Sequence, residues 1–486
     1  MVVHWRLLEL WNRIKDLQVQ SNPSKSITSH KVLIDDILTI SDGLITYADE
    51  KILSYPYKEV PTYYRQLYTD AILIKTTTIW AYHQTQQDSS NLSSACSVDW
   101  SEIIRMLDMA LIVAGAPGKG RRETLFFLIQ SIQNTYLADL KVSSSDEEVY
   151  PPHKKIRIEN PSSLVNTQSD QLPSLKAHPT TSDLRIHQQI PTYNIPPTPN
   201  EFVNKLYQCP FVIKGYCSNW NSLKSNPWRE VSYLKKVSGP FRVVPVEVGG
   251  KYTDEKWGQR IISWYEFLDS IKLQTLNPIS NFASNSSDQE VLYLAQYDLF
   301  QQFPTLRHDI SIPEYVDCEI PEIHGQPRLR PSAEDGLILN AWLGPGGTVS
   351  PAHVDPYYNC YAQIVGQKFV WVASPKFQSE MYPFGSSSVL AGESTPNLKP
   401  SDQEKQDECL QTSFMKNTTQ VDVLMSCDPK HDQLDSIKER FPDFVDKVMP
   451  EAMQIVLEEG DLMVMPPGWW HSMKSLSPSI SVSIWF

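Results

Sequence analysis

The most restrictive feature of this sequence is a change of hydrophobic period near residue 199. Before it, apolar residues recur every three or four positions. After it, they fall in short β-branched or aromatic runs bounded by Gly, Pro or Asn. "PFVIKGY", "FRVVPVEVGG", "GLILNAWLG", "CYAQIVGQKFVWVAS", "AMQIVL", "DLMVMP" and "SISVSIWF" are such runs, interrupted by one helical stretch, "SWYEFLDSIK". Many short strands separated by turn residues predict a double-sheet jelly roll or barrel. The last run alternates strictly from Ser479 to Trp485. It puts Ile480, Val482 and Ile484 on one face and serines on the other. The expected class is α+β, with an all-α N-terminal domain ahead of the β domain.

Residues 1–141 read as helical. "KVLIDDILTISDGLITYADEKIL", "TYYRQLYTDAILIKTTTIWAYHQ", "DWSEIIRMLDMALIVAG" and "RRETLFFLIQSIQNTYL" all carry the helical spacing, as expected of a bundle for protein contacts. "GAPGKGRRET" looks like a phosphate-binding loop but is not one. Val113 stands where the first Gly belongs, Gly120 follows Lys119 where Ser or Thr belongs, and the segment follows a helix. Residues 142–198, rich in Ser, Pro and charge, are expected to be a disordered linker. The basic cluster at 153–158 resembles a short nuclear localisation signal, against the simpler reading of a solvated charge run. A polar stretch around 386–412 reads as an insertion between two strands.

Composition excludes several classes. The chain has 486 residues, 41% hydrophobic and 10% aromatic, enough for two domains with cores. A net charge of −13 argues against a grip on nucleic acid through phosphates and suits a basic peptide or protein substrate. The seven cysteines are scattered without a CxxC, so neither a disulfide framework nor a zinc finger is expected, and a reducing compartment fits. "MVVHWRLLELWNRIKDLQ" suits an amphipathic helix rather than a signal peptide, and no apolar run is long enough to span a bilayer. The expected location is therefore the nucleus, the cytoplasm or both.

The chemistry gathers around "PAHVDPYYN". His353 and Asp355 are two apart, and in an extended chain both side chains face the same way. An imidazole with a carboxylate suits Fe(II), Mn(II) or Zn(II). A lone HxD also occurs by chance on surface turns, so a third ligand decides the matter. His308, His324 and His431 sit in turn-like or polar segments and read as surface histidines. His471, in "EEGDLMVMPPGWWHSMKSL", enters a strand after a turn, and a hairpin can return it beside the HxD. Two His and one Asp form the facial triad of non-haem Fe(II) oxygenases, which leaves three positions for a 2-oxo acid and dioxygen. The distal carboxylate of 2-oxoglutarate needs a cation in a half-buried pocket. Lys368 in "VGQKFVWV" is the natural anchor once the triad is granted; alone it reads as a snorkelling lysine.

"NAWLGPGGTVSPAHVDPYYNCYAQIVGQKFVWVASP" and "GDLMVMPPGWWHSMKSLSPSISVSIWF" resemble the Jumonji-C (JmjC) oxygenases. "PFVIKGYCSNW", "FRVVPVEVGGKYTDEKWGQRIISWYEFLD" and "YLAQYDLFQQFPTLRHDISIPEY" agree in order, so the resemblance covers nearly all of 199–486 outside the insertion. It implies a cupin-like double-stranded β-helix that binds Fe(II) through His353, Asp355 and His471. It implies that Lys368 and Tyr293 hold the distal carboxylate of 2-oxoglutarate, and that Ser350, Asn359 and Trp485 line the cofactor pocket. Gln296 and Trp342 fall near the substrate mouth. As plain structure Asn359 and Ser350 would be turn residues and Trp485 a core residue. Val354 at the centre of HxD and the 386–412 insertion depart from the family pattern.

The activity so implied is hydroxylation of a protein side chain, arginine favoured, coupled to decarboxylation of 2-oxoglutarate to succinate with O2 as co-substrate. Histone N-methyl-lysine demethylation is the alternative by the same chemistry, because a hydroxylated N-methyl group is lost. Two rivals of other classes stand beside it. One is a non-enzymatic scaffold whose helical region docks a partner protein. The other is a zinc hydrolase on the same three ligands, which would leave Tyr293 and Lys368 without a task.

Overall fold

The protein was analysed as a computed structural model, which describes residues 27–56, 59–87, 98–137, 188–249, 257–271, 273, 290–322, 328–333, 335–385, 416–427 and 434–486. The N-terminal amphipathic run, the basic cluster at 153–158, the 386–412 insertion, His324 and His431 lie outside the described residues.

Among the described residues of the first half are four helices: α1 (Ile27–Leu53), α2 (Thr62–Gln87), α3 (Trp100–Ile112) and α4 (Arg121–Tyr136). α3 begins where Asp99 accepts hydrogen bonds from the backbone N–H groups of Ser101 and Glu102, which satisfies two donors that a helix start leaves open. Its apolar stripe, Ile103, Ile104, Leu107 and Leu111, packs with Ile37, Leu67, Ile72, Leu125 and Ile129 into one core. Each such buried side chain contributes roughly 1.5–3 kcal/mol. The segment from Gly115 to Gly120 is a turn between α3 and α4, as its failed loop pattern predicts.

The second half is built of strands in two sheets. The smaller has the order β1-β11-β10-β13-β8 and the larger β2-β3-β12-β9-β14-β7-β6-β4-β5 among the described residues. The strands are β1 (Gln188–Gln189), β2 (Thr192–Tyr193), β3 (Phe211–Ile213), β4 (Val243–Val248), β5 (Gly258–Ser263), β6 (Leu292–Tyr297), β7 (Ile338–Gly344), β8 (Val349–His353), β9 (Asn359–Val365), β10 (Lys368–Ala373), β11 (Met453–Leu457), β12 (Leu462–Met465), β13 (Trp470–Ser475) and β14 (Ser479–Trp485). Two helices, α5 (Val231–Ser238) and α6 (Trp264–Ile271), flank the larger sheet. The predicted α+β class, with helices first and a two-sheet β domain after, is what the chain adopts.

The period of two decides which side chains look inward. On β10, Phe369, Trp371 and Ala373 join a core with Phe441, Phe444 and Val448, while Val370 and Val372 pack between the sheets with Tyr361, Met463 and Met465. Lys368 shares the inward face of Val370 and Val372. On β14, Ile480, Val482 and Ile484 enter the core outside the larger sheet. The serines of that strand are buried as well, so the polar face looks into the molecule rather than to water.

The sequence boundary at 198 needs correction. Residues 188–198, read as linker, contain β1 and β2, which add to the two sheets in parallel beside β11 and β3. Such edge pairing rests on main-chain hydrogen bonds, which composition does not reveal. The helical half is also joined to the β half by a buried ion pair. Arg242, 5% exposed in its side chain, meets the wholly buried Asp108 at 2.7 Å. Removing one partner of such a pair costs about 3–5 kcal/mol.

Candidate metal centre

The two histidines meet because β13 pairs antiparallel with β8 in a register that sets His471 opposite His353. A bulge follows His471 before Met473 and turns the strand locally. Asp355 lies just past the end of β8, where its carbonyl accepts from the N–H of Gly468 at 2.9 Å in the "PPG" turn. Gly468 has φ of 77°, which favours glycine at that corner. His353, Asp355 and His471 each present a ligand atom, all within 4.8 Å of one another. His353 Nε2 is 3.7 Å from Asp355 Oδ1, and His471 Nε2 is 3.5 Å from Asp355 Oδ2.

Both rings are oriented by their other nitrogen. His353 Nδ1 donates to the carbonyl of Pro351 at 2.8 Å, and His471 Nδ1 donates to that of Trp469 at 3.0 Å. These tautomers leave both Nε2 lone pairs facing Asp355. Burial, reinforced by the neighbouring His471, pulls the pKa of His353 down to about 4. Burial pushes Asp355 up, but its interactions with His471 and His353 outweigh it, and its carboxyl stays below the ordinary value. A neutral His353 beside an ionised Asp355 suits a divalent cation.

Of the other predicted residues, Tyr293, Gln296, Trp342, Ser350 and Trp485 line one cavity with His353 and Asp355, while Lys368 and Asn359 are buried and are not among its lining residues. Lys368 is 2% exposed and donates to the Tyr361 hydroxyl at 2.7 Å and the Tyr293 hydroxyl at 3.3 Å. Burial alone lowers its pKa to about 7. No carboxylate is among its described hydrogen-bond partners. Ser350 and Trp342 lie on the wall of a cavity of about 860 Å³ that also holds His353, Asp355, Tyr293, Gln296 and Trp485. Tyr293 and Trp342 rings stand 6.2 Å apart, and Trp342 Nε1 donates to Ser483 Oγ at 3.1 Å. Asn359 is buried opposite Trp485 in the β9–β14 register. Gln296 stands at the mouth with φ of 47°, a left-handed conformation rare outside glycine. His308 is exposed and apart from the centre, as its turn-like segment predicted.

Three members of the site were not singled out from the sequence. Tyr361 holds Lys368, and its place two residues after Asn359 on β9 is the signal that marks it as inward-facing. Asn340 lies on the cavity wall two residues before Trp342, by the same rule. Glu247 also lies on that wall. Burial raises its pKa, with Trp257 acting the other way. Nothing in "VPVEVGG" distinguishes Glu247 from a surface glutamate. The chain just after the insertion contributes too. Val354 N–H donates to the Asn417 carbonyl at 2.9 Å, and Asn417 Nδ2 returns a bond to the Val354 carbonyl at 3.1 Å.

The residues fit a metal with a 2-oxo acid. Among the described residues Asn359 Oδ1, Asn340 Nδ2 and Trp485 Nε1 are buried without a hydrogen-bond partner, which leaves them open to a ligand. Lys368 is a buried amine met by the hydroxyls and rings of Tyr293 and Tyr361 and by no carboxylate among the described residues, so a carboxylate completes its surroundings.

Comparison with known proteins agrees with this geometry. Residues 199–486 match the family described as Cupin-like domain. The chain is 34% identical over 277 residues to Lysine-specific demethylase 8 of Danio rerio, covering 57% of this chain and 53% of that protein. It is 34% identical over 294 residues to Jumonji C domain-containing protein 5 of Drosophila melanogaster, covering 60% and 58%. With Lysine-specific demethylase JMJ30 of Arabidopsis thaliana it is 29% identical over 398 residues, covering 80% and 75%, so that likeness reaches into the helical half. The chain spans about half the length of the first of these relatives, 53%. Among the described residues, no helix is long and apolar enough to cross a membrane.

Proposed function

The chain belongs to the Cupin-like domain family and is similar to JmjC proteins, and we propose that it is an Fe(II)- and 2-oxoglutarate-dependent oxygenase that hydroxylates a side chain of a basic protein. The observation that carries the proposal is Lys368, buried behind the His353–Asp355–His471 centre with no anion of its own. When bound, Fe(II) and 2-oxoglutarate supply oxidative decarboxylation of the oxo acid by O2 and hydroxylation of a substrate C–H bond. His353, Asp355 and His471 would hold the metal at the cavity wall. Lys368 and Tyr293 hold the distal carboxylate of the oxo acid, with Tyr361 orienting the ammonium. Ser350, Asn359 and Trp485 place hydrogen-bonding groups along the oxo acid. Buried Val370, Val372 and Met473 keep water from the far end of the pocket.

Glu247 supports a basic substrate. A carboxylate in a half-enclosed wall beside Tyr293 and Trp342 attracts a cationic side chain, and a guanidinium can use both of its oxygens. This supports arginine over lysine. The second reading, N-methyl-lysine demethylation, draws on the names of the Danio and Arabidopsis relatives. The test is succinate formation from 2-oxoglutarate under Fe(II) and air, for wild type and His353→Ala, with panels of Arg and N-methyl-Lys peptides. Arg peptides gaining the mass of one oxygen support hydroxylation, and formaldehyde release supports demethylation. No wild-type turnover together with no binding of metal or 2-oxoglutarate favours the scaffold reading.

A further inference from the structure

We propose that the helical half helps to build the substrate-facing wall, with Asp108 as its positioning residue. The proposal rests on the reading of the cavity as a site for a basic side chain.

Asp108 on α3 is wholly buried at the junction with the β half. Its Oδ1 accepts from Arg242 Nη2 at 2.7 Å and from Gln302 Nε2 at 2.8 Å, and its Oδ2 accepts from the backbone N–H of Val243 at 2.9 Å. Arg242 Nε lies 2.9 Å from both oxygens. Such a filled set of donors holds a carboxylate rigidly, because any displacement strands a buried charge.

Two paths run from this carboxylate to the cavity. Val243 opens β4, and Glu247 on the same strand enters the cavity wall. Gln302, which also donates to the Val243 carbonyl at 2.7 Å, accepts from the Tyr297 hydroxyl at 2.9 Å. Tyr297 ends β6 beside Gln296, the left-handed residue at the mouth. β4 and β6 are paired, with Glu247 opposite Tyr293. One residue of the helical half therefore fixes both strands that deliver Glu247 and Gln296.

The approach to β4 is held by the same half. Gln133 on α4 donates to the carbonyls of Ser238 at 3.2 Å and Pro240 at 2.8 Å. Phe241, with φ of 63°, packs against the helical core. A non-glycine residue keeps such a conformation only where its surroundings hold it. None of these contacts is needed to seat the metal, whose ligands come from β8, β13 and the turn after β8.

The test compares wild type with Asp108→Asn and Tyr297→Phe in the full chain. The readouts are steady-state kinetics on a basic peptide, Mn(II) and 2-oxoglutarate affinities, and amide hydrogen exchange. Each variant is expected to raise KM about tenfold at unchanged kcat. Metal and 2-oxoglutarate affinities should hold, while exchange quickens in β4 and β6 but not in β10 or β13. If Asp108→Asn does not fold, Tyr297→Phe, which loses one hydroxyl, carries the comparison. Unchanged KM and unchanged β4 and β6 exchange in folded Tyr297→Phe overturn the proposal. Metal affinity falling in step with KM overturns it too, since that marks general destabilisation. A wild type that binds no 2-oxoglutarate sinks the oxygenase reading instead, and hydrogen exchange then still decides the coupling.

Discussion

Lys368 concentrates the residue-scale physics. Burial lowers its pKa to about 7 with only hydroxyls for company. A bound carboxylate favours the ammonium form, so above that pH binding must take up a proton. The dissociation constant of 2-oxoglutarate is expected to be flat below pH ~7 and to rise about tenfold per pH unit above it. Calorimetric titrations across that range check the slope; a constant affinity means that Lys368 stays charged in the free site. Lys368→Met should abolish 2-oxoglutarate binding while Mn(II) binding persists. The ligand-free variant should melt higher than wild type, because a desolvated cation has been replaced by an apolar chain. The sequence marks Lys368 only once the triad is granted, since alone it reads as a snorkelling lysine, and it leaves Glu247 and Asn340 anonymous. Their significance lies in burial, which depends on what the rest of the chain places over them.

At the scale of elements, the site depends on strand register. His353 and His471 are 118 positions apart in the chain yet opposite each other across β8 and β13. A slip of one residue would turn one ring to the far face. The turn between β9 and β10 guards this arrangement. Gly366 has φ of 74°, and a Cβ there would strike the Pro478 carbonyl and Ser477 Oγ ahead of β14. Gly366→Ala should lose about 3 kcal/mol in urea unfolding; an unchanged midpoint would show that the turn yields freely. The strands themselves were readable from period and turn residues. β14 shows the limit of that reading: its serine face is buried, with Ser481 bonded to Gln363 and Ser483 to Trp342. Alternation separates two faces but does not say whether the polar one meets water or a cavity.

For the whole molecule, ligands that bind the folded state alone should stabilise it. Mn(II) at a hundred times its dissociation constant should add about 2.7 kcal/mol, read as a rise in melting temperature. 2-Oxoglutarate should raise it further in wild type, and both shifts should vanish in His353→Ala. A shift with zinc alone and none from the oxo acid would favour the hydrolase reading. The Asp108–Arg242 pair makes the two halves one structure here, whereas the change of period near residue 199 suggested two independent ones.

The sequence by itself determined the class of fold, because period and turn chemistry are local. It also pointed to the chemistry of the centre, through the HxD of His353 and Asp355, the candidate third ligand His471 and the family resemblance that joins them. Where the linker ends, that Asp108 is buried against the start of β4, and the register that brings His471, already singled out in the sequence, opposite His353 were decided only by tertiary structure. Those outcomes depend on register, edge pairing and the burial of charge, each set by chain segments far apart in sequence.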